Sequence, residues 1–426
     1  MLLIYAHKTT QRIAYTFKHV CTRILGINIK FTSKIEEFIA YSGPKISYGK
    51  KPLGNELFFQ STELLLQQGF DSIDINVKGW NDTKCFFSVS KISALPFDIF
   101  SASFYLLSRY EEYLPQVKDE KGRFLATESL AFKSGFLTSP VVDVWAYQFK
   151  KALLDSYPDL PFPKKEINYH QIIKVSQPNK YNQKGALRSI FGFTKNVFRF
   201  NYRETINRAT VLLGIKKDPF DTFEWIIDST KNSKISLSVL FLLGESEEFL
   251  NGFNSSRSKF KLLVKNISDY KNVGLLFSKE SLTNFEVLKN EKDQMESLIN
   301  KHLKCTINND FSVKLPDDYR NLIELEIEKD FTMVYENTPG FRASTCTPFL
   351  FYDLDYEIVT PLLIQPIAYA TPSLLGESET KKNEITADLI QAVKNVNGTL
   401  SFIFSNKDFS DTKRNTFWRN LLIQLS

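Results

Sequence analysis

Histidine is scarce in this chain: four in 426 residues, with only His170 and His302 past residue 165. A centre built on several imidazoles has little to draw on. His302 falls in a predicted helix and His170 at the start of a predicted strand, the wrong end for a barrel-type site, so both read as structural or solvated. Cysteine is as thin: Cys21, Cys85, Cys305 and Cys346 are scattered without a C-x-x-C pair, which argues for buried thiols over a disulfide frame. No HExxH, GxSxG, GxGxxG or P-loop pattern occurs, so the common zinc-protease, esterase, dinucleotide and nucleotide sites are absent as motifs. The longest apolar runs, such as 235–243 and 94–107, are too short or carry a charge, which excludes a membrane span. Met1–Thr10 lacks a basic n-region and a small-residue cleavage site and reads as a first strand, so the cytoplasm is the expected compartment. An excess of one charge is missing too: 54 Lys and Arg stand against 48 Asp and Glu, giving +6. That tolerates anionic surfaces without calling for nucleic acid.

The composition is that of a globular protein, 43% apolar and 24% charged. The length exceeds what one hydrophobic core usually serves, so two domains are expected, 1–160 and 161–426, joined near Pro158, Pro161 and Pro163. The first reads as a small α/β unit: strands at 1–5, 27–31, 45–48, 57–59, 73–77 and 85–89, with a helix over 10–25. Residues 97–115, FDIFSASFYLLSRYEEYLP, place Phe97, Phe100, Phe104 and Leu107 on one helical face and Arg109, Glu111 and Glu112 on the other. The bland reading is a core helix with a solvated charged end. The sharper one makes Arg109 and Glu112, with 119–123 and Pro140–Trp145, a polar surface against the second domain.

Past the prolines, strands alternate with longer helical stretches, the signature of a parallel sheet or barrel. Strands are expected at 170–176, 235–243, 272–277, 331–335, 362–366 and 399–404; helices at 220–231, 257–270, 282–304, 315–327 and 377–395. Sites in such folds gather where strands end. That rule points to Lys174 and Ser176, which share one face of their strand, and to Leu276–Ser278, Asn308–Asp310, 340–354, Ser405 and Asn406.

At these residues the chain resembles the two-domain polysaccharide deacetylase-like proteins of Bacteroidetes-type bacteria, carbohydrate esterase relatives with a family-specific N-terminal domain. LGNELFFQS, ALPFDIFSASFYLLSRYEEYLP, PVVDVWAYQFKKALL, KKDPFDTF, GFRASTCTPFLFYDL and VNGTLSFIFSN stand in the expected order. The resemblance implies a deformed (β/α) barrel after a smaller α/β domain, a divalent metal such as zinc, and roles in cell-envelope carbohydrate metabolism. It also implies where the chemistry should sit. The Asp-X-Asp pair that supplies base and metal ligand is replaced by Lys174 and Ser176. A ligand histidine is replaced by Leu276, followed by Phe277 and Ser278; an Arg and a His ahead of a proline-led helix by Ile307 and Asn309; and a Trp-His-Asn motif by Phe404-Ser405-Asn406. The arginine loop is kept as Gly340-Phe341-Arg342-Ala343-Ser344.

Metal-assisted deacetylation needs carboxylate and imidazole ligands, a base and an acid. Lysine, serine and leucine cannot supply them, so the expectation is no bound metal and a glycan-binding or partner-binding scaffold, with Lys174, Ser176, Ser278, Asn309, Arg342 and Asn406 lining the cleft. Arg342 and Lys174 would then meet an acidic sugar or acyl group. An active hydrolase with Lys174 as base toward Ser176 or water is the alternative. A third possibility rests on 180–208, where basic and aromatic residues alternate: a cover over the barrel mouth, or a surface for an anionic membrane or lipid-linked saccharide at the inner membrane.

Overall fold

The computed structural model describes residues 1–182, 202–243, 258–278 and 280–426. Its first sheet is parallel, in the order β2-β1-β3-β4, from β1 (Leu2–Ala6), β2 (Ile29–Thr32), β3 (Lys45–Gly49) and β4 (Leu57–Gln60). Helix α1 (Gln11–Phe17) continues as a wider π turn, Lys18–Ile24, and α2 (Ile35–Ala40) crosses to β3. The expected strand at 73–77 is irregular; a small hairpin of β5 (Lys78–Trp80) and β6 (Thr83–Cys85) follows instead. Helix α3 (Ile99–Leu107) starts at Asp98, whose carboxylate caps Phe100 and Ser101 and also accepts from Tyr48 and Thr62, so this cap fastens the helix to β3. Arg109, at φ 54°, ends the run in a left-handed turn. The expected helix to Pro115 therefore stops early, and Glu111 and Glu112 fold back on Arg109. Helix α4 (Leu130–Lys133) precedes α5 (Val141–Ser156), which buries Trp145 and Phe149.

The second sheet holds ten strands: β7 (Asn168–Val175), β8 (Ser236–Leu242), β9 (Asn272–Phe277), β10 (Cys305–Asn308), β11 (Lys329–Asp330), β12 (Phe349–Asp353), β13 (Ile358–Ile364), β14 (Tyr369–Ala370), β15 (Thr399–Leu400) and β16 (Phe402–Ser405). Its order is β12-β13-β11-β10-β9-β8-β7-β16-β14, with β15 also on β7. Every pairing is parallel except β12 with β13. Helices α6 (Tyr202–Leu212), α7 (Phe223–Ser229), α8 (Ser258–Ser268), α9 (Phe285–Ile299), α10 (Asp317–Glu324), α11 (Glu379–Lys394) and α12 (Thr416–Leu425) lie between or after the strands. Where a deformed barrel was expected, the strands form an open path: among the described residues no ladder joins β13 to β14. What holds is a mixed α/β chain with a large, mostly parallel sheet.

Alternation along the strands separates two apolar cores. Ile173 and Val175 of β7 belong to the large core that also takes in Phe104, Trp145, Phe349 and Tyr352, so one apolar mass runs from the first sheet to the second. Ile172 belongs to a second cluster enclosed by the curved sheet, with Leu240, Leu276, Ile307, Phe331 and Ile403. All four cysteines are free and buried, as their spacing suggested.

Candidate functional site

Because Ile172 faces the enclosed cluster, Lys174, two residues on, faces the same way, at the edge where the parallel strands end. Its ammonium donates to the Asn309 carbonyl and lies 4.3 Å from the centre of the Phe311 ring. Burial pulls the lysine down to about 8, against Asp310 and Glu336, while Lys121 and Lys407 add to the fall. No hydrogen bond joins it to Ser176 among the described residues, so the Ser-Lys pairing is not assembled. Beside it Asn308 is fully buried. Its side-chain oxygen accepts from the amides of Asp310 and Ser312, and its Nδ2 finds no partner among the described residues.

The other candidates serve the fold. The Ser405 hydroxyl caps the short helix Asn406–Phe409 in a capping box with Asp408. Asn406, wholly buried, donates to the carbonyls of Gln177 and Phe220 and ties two loops to the end of β16. Ser278 shares a hydrogen bond with Ser281, which donates to buried Glu291. Leu276 and Ile307 fill the enclosed cluster. His302 stands past the end of α9 and its side chain is 91% exposed, a correction to the expected helix through residue 304. His170 is half-buried and meets the Ser238 hydroxyl at 2.9 Å, at the opposite edge of the sheet.

Arg342 requires the largest correction. Expected to line the cleft, it is 2% exposed and forks onto the Glu112 carboxylate at 2.9 and 2.6 Å. Arg109 donates to the same carboxylate at 2.8 Å. Although burial pushes the Glu112 carboxyl up, Arg342 and Arg109 outweigh it and hold it near 2. The end of the 97–115 segment is thus a buried clamp, where the bland reading placed it in solvent. Asp143 of α5 works alongside it, accepting from Thr345, the Cys346 amide and Thr347. Arg123 reaches the Asp310 carbonyl at 2.8 Å and Glu336 at 2.5 Å. Under this cover lies a cavity of about 80 Å³, bounded by Arg123, Phe311, Glu336 and Arg342. That is far below the several hundred Å³ of a ligand pocket. Arg123, Glu336 and Phe311 escaped sequence reasoning as mouth residues, because only the packing of the first 160 residues over the strand ends brings them there.

Among the described residues no group of three or more His, Cys, Asp or Glu is placed to hold a metal ion. The donor set at the strand ends does not suit one either. Lys174 has Asp310 and Glu336 near it, and a second cation there would meet the like charge of the ammonium. Most of the 180–208 segment lies outside the described residues. At its ends, the amides of Lys180, Tyr181 and Asn182 donate to Asp218, and Arg208 stacks on Tyr181. No described helix is long and apolar enough to cross a membrane.

The fold and site define a mixed α/β protein with a large parallel-rich sheet whose strand-end edge is covered by the N-terminal residues. Residues 2–158 match a family of unknown function, DUF7033. No curated protein matches the chain. The chain is similar in part to solved structures, three of which follow. A protein described as a polysaccharide deacetylase, from Mycobacterium smegmatis, has a TM-score of 0.37 at 10% identity, over 62% of this chain and 86% of that one. Puue allantoinase has a TM-score of 0.35 at 9% identity, over 63% and 89%. The 4-alpha-glucanotransferase from Thermococcus litoralis has a TM-score of 0.34 at 15% identity, over 60% of this chain but only 35% of its own.

Proposed function

We propose that the chain is a non-hydrolytic, deacetylase-like protein of cell-envelope carbohydrate metabolism, built from units 1–160 and 161–426, that holds the carboxylate or acyl group of an acidic or acylated saccharide, free or lipid-linked, at the strand-end edge of its large sheet. One observation carries the reading: where the sequence resemblance asks for a carboxylate that binds metal, Lys174 presents an ammonium to the Asn309 carbonyl and the Phe311 ring. That arrangement cannot polarise a carbonyl as a Lewis acid or draw a proton from water in its charged form. It can meet an oxygen anion. Arg342, committed to Glu112, takes no part in binding. The protein works without a metal, in the cytoplasm or against the inner face of the membrane.

The test is hydrolysis of acetylated chitooligosaccharides and acetyl esters, together with calorimetric binding of uronate-containing oligosaccharides. The expected outcome is no turnover with or without added zinc, and binding that Lys174→Met weakens about tenfold, the cost of a charge-assisted contact. Turnover lost in Lys174→Met would instead establish a lysine-based hydrolase.

A further inference from the structure

A second feature lies at the other edge of the sheet, where the parallel strands begin. There a cavity of about 760 Å³ opens between the loops that enter β9, β10 and β11. This is the size of pocket that encloses a small molecule. Each of those loops delivers lysine: Lys271 ahead of β9, Lys301 and Lys304 ahead of β10, and Lys329 at the first position of β11. Glu328 is the carboxylate among the lining residues, so four ammonium groups face one anionic charge. The walls behind them are apolar, formed by Val273, Ile299, Phe331 and Leu363.

Not every lysine there is available. Lys271 donates to the Thr230 carbonyl at 3.0 Å and Lys301 to the Ser268 carbonyl at 3.2 Å, each quieting the carboxyl end of a helix. Lys304 pairs with Glu328 at 3.0 Å, both side chains well exposed. Lys329 is different. It is half-buried, and its side chain makes no hydrogen bond or ion pair among the described residues. Burial lowers its pKa, and its charge in turn helps, after burial, to bring His170 down to about 4. A partly desolvated, unpaired ammonium backed by three fixed neighbours is a cost that a bound anion removes.

We infer that this cavity is a binding site for a small phosphorylated molecule carrying at least two negative charges, with Lys329 as its central contact and the apolar wall against the uncharged part of the ligand. Lysine suits phosphate as a point charge without demanding the planar match of a carboxylate. The site lies at the edge opposite Lys174 and does not depend on what binds there.

The test is calorimetric titration of the full chain with inorganic pyrophosphate and with glucose 1-phosphate, repeated on Lys329→Gln, Lys329→Arg and, as a charge control, the exposed Lys413→Gln. The expected result is saturable binding of both probes, weakened about tenfold or more in Lys329→Gln, largely kept in Lys329→Arg, and unchanged in Lys413→Gln. Because the Lys329 side chain makes no bond that the fold relies on, Lys329→Gln is expected to fold, which circular dichroism checks. Absence of binding in the unaltered protein, an equal loss in Lys413→Gln, or binding undiminished in Lys329→Gln would each overturn the assignment.

Discussion

Lys174 shows what one side chain at a strand end can reveal. Its direction was legible: in a strand, residue 174 must share the face of 172, and Ile172 lies in the enclosed cluster. Its partners were not legible, because Asn309 and Phe311 lie 135 and 137 residues further on, across an intervening pair of strands. The sign of its pH effect follows from burial. A lysine brought down to about 8 from an ordinary 10.5 releases its proton earlier in the folded state than in the unfolded one. Stability from this group is therefore poorest below about pH 8 and improves as pH rises toward 10.5. Lys174→Met should stabilise the protein at pH 7 by about 1–3 kcal/mol, the lower part of that range if the lost Asn309 and Phe311 contacts weigh heavily. The gain should fade by about pH 10.5. Urea unfolding at pH 7 and pH 10.5 checks this, and an equal effect at both values would show that the charge is not what burial penalises.

At the level of elements, the loop at 340–347 and the end of α3 explain each other. The motif was readable as a motif, and Arg342 stood out in it, but its role as cleft residue came from the family resemblance, and the sequence does not show which side chain it meets. Glu112, 230 residues away, claims it. Removing one partner of a buried ion pair leaves the other uncompensated, so Glu112→Gln should cost about 3–5 kcal/mol, while the double change Glu112→Met/Arg342→Met should cost less than the single one. The carboxyl sits near 2 in the fold against 4.5 unfolded, so its contribution is full above about pH 4.5 and is lost as pH falls through 2. Acid unfolding of Glu112→Gln should accordingly be less steep across that window. A double variant as unstable as the sum of its singles would contradict a shared clamp. Strand identity was legible where long apolar runs are bounded by turns, as in β8 and β9. It failed at β11, where only Lys329 and Asp330 pair and the apolar 331–335 run leaves the ladder, and at the antiparallel β12, whose Phe349–Asp353 pairs with β13.

At the scale of the molecule, residues 1–160 act as a cover for the sheet edge where a site is expected. Polar fastenings, among them Glu112 with Arg342, Asp143 with Thr345–Thr347, Arg12 with Glu357 and Arg123 with Glu336, accompany an apolar face on which Tyr15 and Phe104 pack against Tyr352 at 5.1 and 5.0 Å. The extent of the shared core could not be read from the sequence, since composition does not say which face of a helix meets which sheet. A fragment of 161–426 should expose Phe349 and Tyr352 and strand Arg342 without its carboxylate, so it is expected to lose cooperative thermal unfolding or to aggregate; a sharp transition near that of the full chain would contradict the shared core. The proposed function puts an ammonium at the sheet edge in place of metal chemistry. Its most direct test is zinc content and affinity of the purified full chain by elemental analysis and competition with a chelator. Far less than one zinc per chain and no tight site are expected. One zinc held per chain and released by chelator with loss of hydrolysis would contradict it.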